Sequence, residues 1–182
     1  VLPMEDEEAA AEVSKAFTKR GIKIFTGHKV ESVESVGSKV RLLISSDSEQ
    51  KELVADQSLI AIGFKPNSEG IGLENVGVTT SIAGFIEIDD RMTTNVAGIW
   101  AIGDVTGKLM LAHAGSAMGI VCAETIANHP TRDLDYRMIP RATYCNPQVA
   151  SFGYSEAQAK EAGFLVKVGK FPFQANGKAL GL

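Results

Sequence analysis

The sequence predicts an α/β fold on three observations: an amphipathic helical pattern over residues 6–20, β-patterned runs between residues 29 and 63, and a strand-to-helix passage from residue 98 to 128. Its 182 residues, 45% of them hydrophobic, suffice for a sizeable core in one average domain or two small ones.

In the first pattern Ala9, Ala10, Val13, Ala16 and Phe17 recur at helical spacing. Glu7, Glu8 and Glu12 crowd its start and Lys15, Lys19 and Arg20 its end, an order that suits the helix dipole. Gly21 supplies a stop, and IKIF reads as a short strand. KVESVESV, KVRLLISS and SLIAIG read as a three-stranded meander, with the polar SDSEQKE between the last two strands. KPNSEGIGLENVGVTTSIAGF carries no periodic element and reads as a long connection. Two strands, around FIEI and GIWAIGD, then lead to a helix over residues 111–128, whose stripe is Ala114, Ala117, Met118, Val121, Cys122, Thr125 and Ile126 and which Pro130 ends. HPTRDLDYRM reads as a linker. Beyond it, IPRATYC and the strand QVASFGY precede a helix SEAQAKEAG with Ser155 as N-cap and a further strand FLVKVGKFPF.

Composition excludes several classes. The net charge is −4 with neither sign gathered into a block, so no nucleic-acid footprint is expected. No apolar run approaches the roughly 20 residues of a bilayer span, and the opening VLPMEDEEAAAEV is acidic where a secretory signal is basic, so a soluble chain without a membrane partner is expected. Cys122 and Cys145 lie far apart, at neither metal-ligand nor CxxC spacing, and read as unpaired core thiols in a reducing compartment.

Familiar catalytic motifs fail on inspection. GDVTGKL lacks the first glycine of a Walker A loop, and Leu109 stands where Ser or Thr would hold magnesium. GIGLENVG misses the third glycine of a dinucleotide fingerprint, and no strand runs into it. There is no G-x-S-x-G elbow and no HExxH, and His28, His113 and His129 show no ligand spacing. No metal site and no catalytic residue are assigned. What remains is a strand ending at Gly103-Asp104, a short loop, and the N–H groups of Met110, Leu111 and Ala112 at a helix start. A carboxylate so placed accepts hydrogen bonds from the hydroxyls of a sugar or ribityl chain, and the helix N-terminus suits the electron-rich edge of a ring. An ordinary strand-to-helix turn with an N-capping Asp is the alternative these residues alone leave open.

TTNVAGIWAIGDVTGKLMLAHAGSAMGI closely resembles the second flavin-binding motif of the two-dinucleotide-binding-domain flavoprotein disulfide reductases, the class I pyridine nucleotide-disulfide oxidoreductases. Its MLAH variant resembles the dihydrolipoamide dehydrogenase branch of that family. AIGFKPNSEGIGLENVGV resembles the family's exit from the NAD-binding domain, and IPRATYCNPQVASFGYSEAQAKEAG with KFPFQAN resembles the start of its dimer-interface domain. The resemblance implies three parts: residues 1–68 from the NAD-binding domain, 69–137 from the FAD-binding domain and 138–182 from the interface domain. It implies FAD and NAD as cofactors. Asp104 would bind the flavin ribityl chain with Gly103 allowing close approach, and Met110, Leu111, Ala112 and His113 would line the isoalloxazine. Gly63 and Val30 would touch NAD. His113 matches a flavin-side structural position and not the family's base, and Lys65 reads as a solvated charge.

By the same resemblance the chain is an internal piece. The FAD-binding G-x-G-x-x-G, the redox-active cysteine pair and the NAD loop would precede Val1, and the His-Glu pair would follow Leu182. The parent would oxidise dihydrolipoamide carried on lipoyl domains of a 2-oxoacid dehydrogenase or glycine-cleavage system and reduce NAD, as a homodimer, in a bacterial cytoplasm or an organellar matrix or stroma. The piece alone is expected to be inactive. A related flavin-dependent reductase, such as a glutathione- or mercuric-reductase-like enzyme, and a non-catalytic binding module are the alternatives.

Overall fold

The computed structural model describes residues 1–181. They form two compact units, one of Val1–Ile22 with Pro140–Leu182 and the other of Lys23–Ile139.

The second unit opens with an antiparallel sheet of β1 (Lys29–Val36), β2 (Lys39–Ser45) and β3 (Gln50–Ala55) in that order. Gly37 takes a positive φ of 61° in the tight turn between β1 and β2, a conformation that costs glycine least. Val40, Leu42 and Ile44 of β2 stand opposite Ala55, Leu53 and Lys51 of β3, so one face carries most of the apolar side chains of the pair. The third strand is not the expected one. SLIAIG is unpaired and the strand is QKELVA, which begins within the stretch read as a turn. QKELVA alternates half-buried and exposed residues, as a strand with one wet face does. SLIAIGF has the continuous apolar pattern of a strand covered on both faces, and no strand flanks it among the described residues; Leu59 is 89% and Ile62 93% exposed. IKIF is likewise no strand here, since an extended run becomes a strand only when its backbone ladder is paired.

The rest of this unit is held by loops and one long helix. The expected long connection contains a short helix, α2 (Leu73–Val76), between two glycines of positive φ. FIEI and GIWAIGD are reduced to isolated bridges, Thr80 with Ile86 and Thr93 with Trp100. Side chains supplement the few backbone bonds there. The Asn95 amide accepts from Thr79 N–H and donates to Gly77 C=O, each at 2.8 Å, and the buried Thr94 hydroxyl donates to Ile99 C=O at 2.8 Å. Helix α3 (Ala112–Ile126) buries Ala114, Met118 and Val121, while Ile126 of the expected stripe is exposed. Val78, Ile86 and Ala101 form one core cluster; Met92, Met118 and Val121 form a second, and Ile88 packs against both. The segment read as a polar linker joins that second cluster, because Leu134 and Tyr136 pack on it and residues Tyr136–Met138 form a 3-10 turn. Its two apolar side chains outweigh the polar composition around them.

In the first unit α1 (Glu7–Lys19) buries Val13, and Gly21 with φ 83° follows its end. A hairpin of β4 (Arg141–Thr143) and β5 (Val149–Ser151) precedes α4 (Glu156–Glu161). Ser155 N-caps α4 in a full capping box: its hydroxyl accepts from Gln158 N–H at 3.2 Å, and Gln158 Oε1 accepts from Ser155 N–H at 3.0 Å. Asp6, the N-cap of α1, also accepts from Glu156 N–H at 3.0 Å, and Lys170 pairs with Glu8. FLVKVGKFPF forms no strand; Leu165, Phe171 and Phe173 are exposed and no strand lies beside them among the described residues.

Candidate functional site

The second unit holds a cleft of about 380 Å³ lined by Phe64, Lys65, Pro66 and Asn67 on one side and by Phe85, Asp104, Val105 and Met110 on the other. That volume lies at the small end of the range typical of ligand sites, roughly 300–1,000 Å³.

The wall that carries Asp104 is built from glycine-permitted turns. Gly103 takes φ 73° and starts a 3-10 turn, Gly103–Thr106, whose last residue sends its hydroxyl back to Gly103 C=O at 2.8 Å. Gly107 N–H donates to Asp104 C=O at 3.0 Å and closes the turn. Asp104 therefore lies in a 3-10 turn and not at a strand end. Its carboxylate is exposed and, among the described residues, has no ion-pair partner and accepts no hydrogen bond. Nor does it cap α3, whose N-cap is Leu111 with no side-chain cap bond. The geometry thus decides against the N-capping alternative and leaves an unpartnered acceptor on a residue that lines the cleft.

The helix start differs from expectation by one residue. Leu111 N–H is taken by Leu109 C=O at 2.9 Å, so it is not a donor to a ligand. The first intrahelical bond runs from Gly115 N–H to Leu111 C=O at 3.0 Å, which makes Ala112, His113 and Ala114 the first-turn donors. Of the expected site residues, Asp104 and Met110 line the cleft and Gly103 adjoins it, whereas Leu111, Ala112 and His113 follow on the helix and are not part of its lining. Gly63 immediately precedes Phe64 in the exposed run and has φ 137°. Val30 lies on β1 opposite Ile44, away from the cleft lining. Lys65 is solvated and pairs with Glu69 at 2.8 Å.

Phe64, Pro66, Asn67 and Phe85 were not singled out in the sequence. Phe64 sits in an apolar run that reads as core, and Phe85 comes to the cleft through contacts distant in sequence. Chemically, the cleft lining combines a carboxylate acceptor with two phenyl rings and a thioether, a combination suited to a ligand with a hydroxylated chain and a flat apolar ring. Cys122 and Cys145 are both free and half-buried, and burial pushes the Cys122 thiol up from its ordinary value, which makes it a poor nucleophile. No helix among the described residues is long and apolar enough to cross a membrane.

Comparison with known proteins matches residues 1–119 to the family model described as pyridine nucleotide-disulphide oxidoreductase, and residues 139–182 to that family's dimerisation domain. Proteins named dihydrolipoyl dehydrogenase from Mycobacterium leprae and Corynebacterium glutamicum are 54% and 52% identical over the whole chain. The chain spans 39% and 40% of their lengths. Among solved structures, LpdA from Mycobacterium tuberculosis superposes with TM-score 0.87 at 24% identity, covering 97% of this chain and 38% of that one, a likeness of fold. The HOCl-induced flavoprotein disulfide reductase RclA from Escherichia coli gives 0.84 at 27% identity, covering 99% of this chain and 41% of that one.

Proposed function

The chain belongs to the pyridine nucleotide-disulphide oxidoreductase family, and from that premise we propose that it carries part of an FAD-dependent dihydrolipoamide dehydrogenase that reduces NAD. The observation that carries this reading is the Asp104 carboxylate, without a partner among the described residues, in the lining of a cleft with Phe64, Phe85 and Met110. The names of the bacterial relatives support the substrate.

When bound, FAD would accept an electron pair from a dithiol and deliver it to NAD. Asp104 would accept hydrogen bonds from the ribityl hydroxyls, and Gly103, in a conformation glycine adopts without strain, would let the chain approach closely. Met110 would pack on the ring, with Leu111, Ala112 and His113 continuing that wall and the first-turn N–H groups of Ala112 and His113 favouring negative charge nearby. Gly63 and Val30 would face NAD. The division into residues 1–68 for NAD, 69–137 for FAD and 138–182 for the interface belongs to the same proposal, as do a homodimer, lipoyl-domain partners and a bacterial cytoplasmic setting.

Neither cysteine of this chain has a partner at redox-pair spacing. Alone, the 182-residue chain is expected to hold FAD weakly and to give no NADH from dihydrolipoamide and NAD⁺. Replacing the matched segment of the Mycobacterium leprae protein by this chain should give a chimera that does turn over. A chimera that folds but ignores dihydrolipoamide contradicts the substrate. The likeness to RclA supports a second reading, another flavoprotein disulfide reductase; the same chimera assayed with other disulfides separates the two.

A further inference from the structure

The two walls of the cleft come from segments far apart in sequence, and one turn joins them. Residues 81–85 fold back on themselves through Ser81 N–H to Phe85 C=O and Gly84 N–H to Ser81 C=O, both 2.8 Å, with Phe85 N–H donating to Ser81 Oγ at 3.1 Å. Toward the Phe64–Asn67 wall, the buried Ser68 hydroxyl donates to Gly84 C=O at 2.6 Å. Gly84, at φ 88°, packs so closely that a Cβ there would stand 3.3 Å from Ser68 Oγ and 3.4 Å from Pro66 Cγ. Toward the Asp104 wall, Ile86 N–H donates to Val105 C=O at 2.9 Å. There the Phe85 ring lies against Gly107, where a Cβ would come within 2.7 Å of Cγ and 2.8 Å of Cδ1. A side chain at position 107 and a phenyl ring at 85 cannot occupy this arrangement together.

We propose that Ser68, Phe85 and Gly107 are positioning residues: the Ser81–Phe85 turn is a clamp that sets the spacing between the Phe64–Asn67 wall and the Asp104 turn. It thereby holds the Asp104 carboxylate where a flavin's hydroxylated chain would meet it. The inference rests on the cofactor reading above. Phe85 itself lines the cleft, so the clamp and the ligand surface are one element. The buried Ser68 hydroxyl has no role in the cleft's lining, which makes its bond to Gly84 the point where the clamp can be opened without touching the ligand surface.

The test is amide hydrogen exchange by NMR on the chain and on Ser68→Ala, with Ser68→Thr as the variant that keeps the hydroxyl, followed by FAD titration read at the Met110 methyl resonance. The clamp predicts that Ser68→Ala speeds exchange of the Gly107 N–H by about tenfold, although the Ser68 hydroxyl bonds Gly84 and not the Asp104 wall, and that Ser68→Thr restores it. It also predicts a several-fold weaker FAD response in Ser68→Ala. Exchange changes confined to residues 66–68 and 84 overturn the clamp. If exchange at Gly107 responds but neither Ser68→Ala nor Asp104→Asn alters the FAD response, the cofactor reading fails, and the positioning role with it. If Asp104→Asn weakens FAD and Ser68→Ala does not, the cofactor reading stands and the positioning role is overturned.

Discussion

Asp6 and Glu156, 150 positions apart, meet at one carboxylate: Asp6 Oδ1 accepts from Glu8 N–H at the start of α1, and Oδ2 accepts from Glu156 N–H at the start of α4. One acid thus serves two helix N-termini, where backbone donors lack partners and negative charge is favoured. Asp6→Ala is expected to lower the stability of the first unit by about 1–2 kcal/mol, the usual cost of a lost N-cap. Urea unfolding followed by circular dichroism measures it, and Asp6→Asn, which keeps an acceptor, should lose less.

Gly107→Ala places a methyl group inside the Phe85 ring contact and forces φ 67° on an L-residue. A loss of at least about 2 kcal/mol is expected. Fluorescence of Trp100, the chain's one tryptophan, reports unfolding of this unit. Gly119→Ala, within α3 of the same unit, where a Cβ would meet only Ile102 Cδ1 at an ordinary 3.5 Å, serves as control and should not destabilise.

Met118 is fully buried between Met92 and Val121 on the inner face of α3. Met118→Ala should cost about 2–5 kcal/mol through lost burial and a residual cavity, whereas Met118→Leu should cost less than about 1.5. The same fluorescence melt decides between them.

Burial raises the Cys122 thiol above its ordinary value, so the unfolded chain ionises first as pH rises. Above that ordinary value the folded state binds more protons than the unfolded one, and stability falls with increasing pH. The contribution is complete below the unfolded thiol's value and is lost through the folded one. Urea midpoints measured across the alkaline range should decline more steeply for the native chain than for Cys122→Ala.

Some of this was legible in the sequence because its causes are local. The charge order of residues 7–20 marks α1, and Ser155 caps α4 through Gln158, three residues on. What was misread depends on neighbours. SLIAIG reads as a strand because it is apolar throughout, yet a strand exists only where a partner supplies the ladder, and QKELVA has that partner in β2. Leu134 and Tyr136 look like linker residues until Met118 presents a surface to cover. Phe85 and Ser68 joined the cleft unseen, since the Ser68 bond to Gly84 spans 16 positions and nothing in either residue's surroundings announces it.

The proposed hold of Asp104 on a flavin is read most directly from the flavin content of the Mycobacterium leprae chimera carrying this chain, with and without Asp104→Leu. Absorbance of the purified proteins after gel filtration gives the cofactor per chain. The chimera should be yellow, and the Asp104→Leu variant, with unchanged circular dichroism, should bind FAD at least about tenfold more weakly, as expected for losing a charged acceptor. A variant that keeps its flavin at the level of the parent chimera would contradict that hold.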